Sequence, residues 1–197
     1  VKVFNPGKGR GSGCYVTYKG AHLIVTAAHV FDDANTNWLW IVRGKKKVKG
    51  HPVYFDKGED IALVATKPLD MVKPTRLNVR TPYPPVGEEL TYSGYPGRHD
   101  LLTIRGEVVG YQKIWDEREK VVVHTYGWPG ASGSCFFDKR GRMVGVLVAI
   151  PIGRGYVPQL LESMVFATPI KVLDLDKLNE NLCKLHTDIR PHFCMRR

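Results

Sequence analysis

The chain has 197 residues, 43% hydrophobic and 24% charged, a balance that supports a sizeable buried core and excludes a disordered or collagen-like class. No apolar run approaches the ~18 residues of a membrane-spanning helix, and twenty Gly with thirteen Pro suit a turn-rich β protein. A net charge of +10 implies an acidic partner surface, nucleic acid or membrane among them.

Residues 9–80 alternate short apolar runs with polar turns, which predicts strands over Gly13–Tyr18, His22–Thr26, Trp38–Arg43, Val48–Tyr54 and Ile61–Ala65. Residues 32–37 read as a polar loop. The densest basic run, Arg43-Gly44-Lys45-Lys46-Lys47-Val48-Lys49-Gly50, reads as a solvated hairpin tip. Weak RNA or acidic-surface binding is its secondary reading, although no aromatic-interleaved nucleic-acid motif accompanies it. Thr81-Pro82-Tyr83-Pro84-Pro85 is a proline-stiffened linker. A second strand set follows: Glu89–Tyr95, Leu102–Gln112, Lys120–Thr125, Ser134–Phe137, Met143–Ile150 and Met164–Thr168. Closing each set into a barrel removes exposed edges. Over Ile170–Leu185 the period changes, with Leu173, Leu175, Leu178, Leu182 and Leu185 at helical spacing. The expected architecture is all-β: two packed antiparallel β-barrels, with a C-terminal helix. The first barrel spans 1–80, the linker 81–85, the second barrel 86–169, and the helix with a basic tail 170–197.

Three segments carry chemistry. His29 closes Leu23-Ile24-Val25-Thr26-Ala27-Ala28, Asp60 opens Ile61-Ala62-Leu63-Val64, and Ser132 lies in Pro129-Gly130-Ala131-Ser132-Gly133-Ser134. A serine hydroxyl holds its proton at neutral pH. It becomes a nucleophile when an imidazole takes that proton and a carboxylate fixes the imidazole tautomer. Singly, each residue has an ordinary structural reading as a strand-end histidine, a turn aspartate or a loop serine. Their chain order, each beside an apolar strand, is one of the orders in which such triads occur. The glycines around Ser132 permit a tight turn that aims the N–H groups of Gly130 and Ser132 at a developing oxyanion.

With these segments the chain resembles the chymotrypsin-fold serine proteases over roughly residues 9–170. Gly11-Ser12-Gly13, Ser93-Gly94-Tyr95-Pro96-Gly97 and the hairpin-like Phe136–Val146 stretch carry the likeness further. The overall pattern is closer to the compact HtrA-like and viral branches. The resemblance implies a serine endopeptidase with His29 as general base, Asp60 as its orienter and Ser132 as nucleophile. It also implies a polypeptide substrate, no cofactor and no metal. The pocket for the side chain before the cut would involve Tyr126 and the strand Leu147, Val148, Ala149 and Ile150, which hold no acid, so an apolar residue is expected there. Digestive relatives place Asp before the nucleophile to pair with a new amino terminus; here Ala131 stands there, so Val1 is not expected to act as an activation pivot. Without a leader-like segment, the chain reads as a viral polyprotein protease. A bacterial HtrA-like domain and a catalytically silent protein- or RNA-binding barrel are the alternatives.

Four cysteines, Cys14, Cys135, Cys183 and Cys194, make no dense framework, which favours a reducing compartment or one bridge at most. The half-cystine that follows the histidine in secreted relatives is replaced by Val30. In the tail, Cys183, His186, His192 and Cys194 match no established zinc spacing. Metal, a Cys183–Cys194 bridge and unlinked thiols stay open there.

Overall fold

The computed structural model describes residues 1–5, 9–31, 37–70, 72–97, 99–114, 117–153, 159–185, 189 and 191–195. Two uninterrupted apolar runs anchor the first lobe. Ala21–Thr26 (β4) and Ile61–Thr66 (β7) are almost wholly buried and pair antiparallel, Leu23 opposite Ala65 and Thr26 opposite Ala62. Such runs suit strands covered on both faces. Around them lie Lys2–Asn5 (β1), Gly9–Ser12 (β2), Cys14–Tyr18 (β3), Leu39–Arg43 (β5), Lys46–Asp56 (β6) and Thr75–Arg76 (β8), in the order β2-β1-β5-β6-β7-β4-β3-β8. This curled sheet is a half-barrel, not the closed barrel expected. Its outermost strands have four and two residues. The end of β2 bonds elsewhere: the Ser12 N–H donates to the Ser132 carbonyl of the second lobe at 2.8 Å.

The second lobe is a closed six-stranded barrel. It comprises Glu89–Gly94 (β9), Leu102–Ile114 (β10), Arg118–His124 (β11), Cys135–Phe137 (β12), Met143–Ala149 (β13) and Met164–Pro169, separated from β13 by the short pair Ile152–Gly153 (β14) and Gln159–Leu160 (β15). Met164–Pro169 is β16, and the barrel order is β10-β11-β16-β13-β12-β9. Alternation along β13 divides its side chains. Leu147 fills the barrel interior with Tyr92, Val108, Val123 and Phe136. Val146 and Val148 join the first-lobe core, so one apolar body runs between the lobes.

The helix is shorter than expected. It covers Leu175–Cys183 (α1), preceded by a 3-10 turn over Ile170–Val172. Asp174 divides the two: its backbone is extended and its carboxylate accepts the N–H groups of Asp176 and Lys177, an N-cap that starts a new helix. Leu178 and Leu182 are buried, and Asn181 donates to the Val53 carbonyl of β6 at 2.9 Å.

Disulfides join Cys14 to Cys135 and Cys183 to Cys194, and no free cysteine is present. This corrects the expectation of one bridge at most. Cys14 and Cys135 stand on facing strands of the two lobes, a proximity that local sequence does not report. His186 lies outside the described residues, and no group of metal-binding side chains occurs among those described.

Candidate active site

β4 runs buried to Thr26 and then turns through Ala27 and Ala28, at 0% and 1% exposure. Larger side chains would not fit there. The 3-10 turn Ala28–Val30 then lifts the His29 ring to the surface, 48% exposed. Asp60 ends the turn between β6 and β7, with left-handed backbone at φ 57° and only 6% exposure. This conformation is one that Asp adopts more readily than most residues. Asp60 Oδ2 lies 2.7 Å from His29 Nδ1, and Oδ1 accepts the His29 backbone N–H at 2.8 Å. A carboxylate only accepts, so it keeps the imidazole proton on Nδ1 and leaves Nε2 with a free lone pair.

The Ser132 loop is shaped by glycine. Gly130 has φ 101° and a Cβ on it would lie 2.7 Å from the Tyr95 carbonyl oxygen. Gly133 has φ 88° and a Cβ there would lie 2.1 Å from the Ser12 carbonyl oxygen and 3.1 Å from Ala27 N. The second contact sets the serine loop against the turn that carries His29. Ala131 N–H donates to Trp128 and Gly133 N–H to Leu147, whereas the N–H groups of Gly130 and Ser132 have no partner among the described residues. Ser132 is half-buried. Its neighbour Ser134 is fully buried, its hydroxyl without a partner among the described residues, so Ser132 is the accessible hydroxyl of the loop.

Two anchors escaped the sequence reading. Ser12 is fully buried and ties three segments together. Its hydroxyl donates to the Gly130 carbonyl at 2.8 Å and accepts the Tyr95 N–H at 2.9 Å, and its carbonyl accepts the Thr26 hydroxyl at 2.8 Å. The motif Gly11-Ser12-Gly13 marked the place but not the role. The second anchor is Glu59. Lys120, wholly buried on β11, donates to the Glu59 carboxylate at 2.7 Å and to its carbonyl at 3.1 Å. Arg118 donates to the same carboxylate at 2.9 Å, and the Thr168 hydroxyl to the carbonyl at 2.5 Å. Barrel residues thereby grip the residue next to Asp60.

The expected pocket residues are dispersed. Leu147 and Val148 are core side chains, at 1% and 3% exposure, because alternation on β13 turns each into apolar packing. Ala149 and Ile150 are half-buried. Tyr126 faces a separate cavity of about 690 Å³ with Glu89, Glu107 and Glu162 beside Arg105 and His124. Gly127 packs tightly: a Cβ there would meet Cγ1 of the buried Val165 at 2.4 Å and Cγ1 of the half-buried Ile150 at 3.2 Å. On the basic hairpin, Lys47 Nζ sits 3.8 Å from the Trp40 ring centre and Lys49 Nζ 4.8 Å from that of Trp38. Two lysines of the run thus lie over indoles.

A family model described as a trypsin-like peptidase domain matches residues 11–146. No curated protein matches the chain. Among solved structures, an inactive form of Rv3671c from M. tuberculosis H37Rv superposes with a TM-score of 0.69 at 18% identity, covering 94% of this chain and 87% of that one. The serine endoprotease from Yersinia pestis gives 0.67 at 18%, covering 90% and 61%. The HtrA-type protease AlgW gives 0.69 at 18%, covering 87% and 56%. At these identities the likeness is one of fold.

Proposed function

Because the chain belongs to the trypsin-like peptidase domain family, whose members are serine endopeptidases, we propose that Ser132, His29 and Asp60 form its catalytic triad. The contact of the His29 ring with the buried Asp60 carboxylate carries this reading. Ser132 Oγ attacks the scissile carbonyl carbon while its proton passes to His29 Nε2. The developing oxyanion is met by the Gly130 and Ser132 N–H groups. The tetrahedral adduct expels the amine, which takes the proton from His29, and water activated by His29 then hydrolyses the acyl-enzyme. No step calls for a metal or cofactor. The proposal includes an apolar residue before the cut, received beside Gly127 and the half-buried Ala149 and Ile150. A cationic side chain would lose its water there and find no carboxylate on those three residues.

The proposal extends to polyprotein processing by a viral chain. Ala131 supports it: with no carboxylate at that position, activity does not wait for a freed amino terminus, as a protease acting within a longer chain requires. The two disulfides favour the other setting, a bacterial HtrA-like domain in an oxidising compartment.

One experiment tests both levels. The wild-type chain should take a fluorophosphonate on Ser132 and, placed in frame between two folded reporters, should release itself. Ser132→Ala should lose the label and stay joined, with peptide turnover down by several orders of magnitude. Undiminished labelling of the variant would refute the nucleophile. A labelled wild-type chain that never releases itself would refute the polyprotein setting alone.

A further inference from the structure

A half-open cavity of about 400 Å³ adjoins the serine loop and shares Gly130 with it. None of Gly127, Ala149 and Ile150, which flank the acyl side in the proposed function, belongs to its lining. Gly11, also in the lining, packs against the Ser132 carbonyl, where an added Cβ would lie 2.7 Å from the oxygen. It touches Val30 as well, the neighbour of His29. A chain leaving Ser132 past Gly130 therefore arrives at this cavity.

Its chemistry is one-sided. The Phe4 and Tyr95 rings with Val42 supply apolar surface, and Lys2, Arg10 and His99 supply the polar groups. No acidic side chain lines it among the described residues. Lys2 Nζ lies 4.8 Å from the centre of the Tyr95 ring, so a cation stands in the lining without a carboxylate partner among the described residues. Arg10 is exposed on β2. Arg43 adds positive potential at Tyr95, opposed there by Asp100. Lysines and arginines in the open are well solvated, but beside aromatic and aliphatic walls an incoming carboxylate meets two cations at reduced dielectric.

We propose that this cavity is a substrate pocket for an acidic side chain, Asp or Glu, on the segment released as the amine. The proposal rests on Ser132 being the nucleophile and on the acyl side lying toward Gly127 and Ile150, which together put the leaving group toward Gly11. The apolar residue before the cut and the acidic residue after it would together define the cleavage sequence, a combination that Ser132, His29 and Asp60 do not encode.

The test uses the wild-type protein and a peptide library randomised on both sides of the cut, with products read by mass spectrometry. Asp or Glu should be enriched at one of the first three positions after the cut, favoured about three- to tenfold over Gln or Lys, as two partly exposed ion pairs allow. The preference should shrink between low and high salt. In the double variant Lys2→Glu, Arg10→Glu it should vanish or invert in favour of Lys, while the residue preferred before the cut stays the same. Cleavage with Ser132 labelled but no acidic preference, or an acidic preference that the double variant leaves intact, would overturn the pocket and leave the peptidase reading standing. An uncut library and an unlabelled Ser132 would sink both.

Discussion

At Asp60 one side chain does two jobs with two oxygens. Oδ2 meets the His29 ring and Oδ1 the His29 backbone, so ring and main chain are positioned by the same carboxylate. The left-handed backbone lets the turn enter β7 at once, with Ile61 already wholly buried. Asp60→Asn keeps size and one acceptor but offers an amide to the ring, which favours the wrong imidazole tautomer. Turnover should fall about 10⁴-fold, the scale on which loss of this carboxylate acts in such triads, while Tm moves little. Steady-state cleavage of one peptide beside a melting curve checks this; a loss below tenfold would remove Asp60 from the orienting role. The proposed triad stands out in the sequence because its signals are local: His29 after an apolar run, Asp60 before another, Ser132 among glycines. Ser12 was not legible in the same way. Its partners Gly130 and Tyr95 are 118 and 83 positions away, and only folding brings a small buried hydroxyl to that junction.

The strands were legible where apolar periodicity is strong, as in β4, β7 and β13. They were not where pairing alone defines them. β1 and β2 are four residues each and lie outside the expected strand set, yet β2 carries Ser12 to the serine loop. The expected helix failed at Asp174 because the apolar period runs through a residue whose side chain caps instead of propagating. Lys120 also looked unremarkable within a strand, but it is a fully buried cation. It bridges β11 to the Glu59 turn, with Arg118 and Thr168 closing around the same residue. Without Lys120, Glu59 keeps only Arg118 as its cation and the interior loses a charge-assisted hydrogen bond, at a cost of about 1.5–3 kcal/mol. Lys120→Met should therefore lower Tm by roughly 3–10 °C in a chain of this size. Turnover at temperatures well below the transition should fall as well, since the turn next to Asp60 loses its grip on the barrel. Calorimetry decides it: an unchanged Tm would mean that Glu59 finds other partners, and the clamp would have no energetic role.

The whole molecule poses one mechanical problem. In the proposed triad His29 and Asp60 belong to the curled sheet and Ser132 to the barrel, so that reading requires the two lobes to keep one relative position. Four devices act across that joint: the shared apolar core, the Ser12 hydrogen bonds, the Glu59 clamp and the Cys14–Cys135 disulfide. Four cysteines allow three pairings, and the sequence offered no reason to prefer this one. The two bridges differ in what they constrain. Cys14–Cys135 closes 121 positions, and Cys183–Cys194 closes 11, tying α1 to the tail. In the chain-entropy view the long closure removes more freedom from the unfolded state, about 4–5 kcal/mol against roughly 3 kcal/mol for the short one. The double variant Cys14→Ser, Cys135→Ser should lower Tm by roughly 10–15 °C, and Cys183→Ser, Cys194→Ser by roughly 5–10 °C. Only the first pair spans the lobes, so only its loss should also slow fluorophosphonate labelling of Ser132 at temperatures where both variants remain folded. Equal labelling rates in the two variants would show that the core and the polar clamps hold the joint without the bridge.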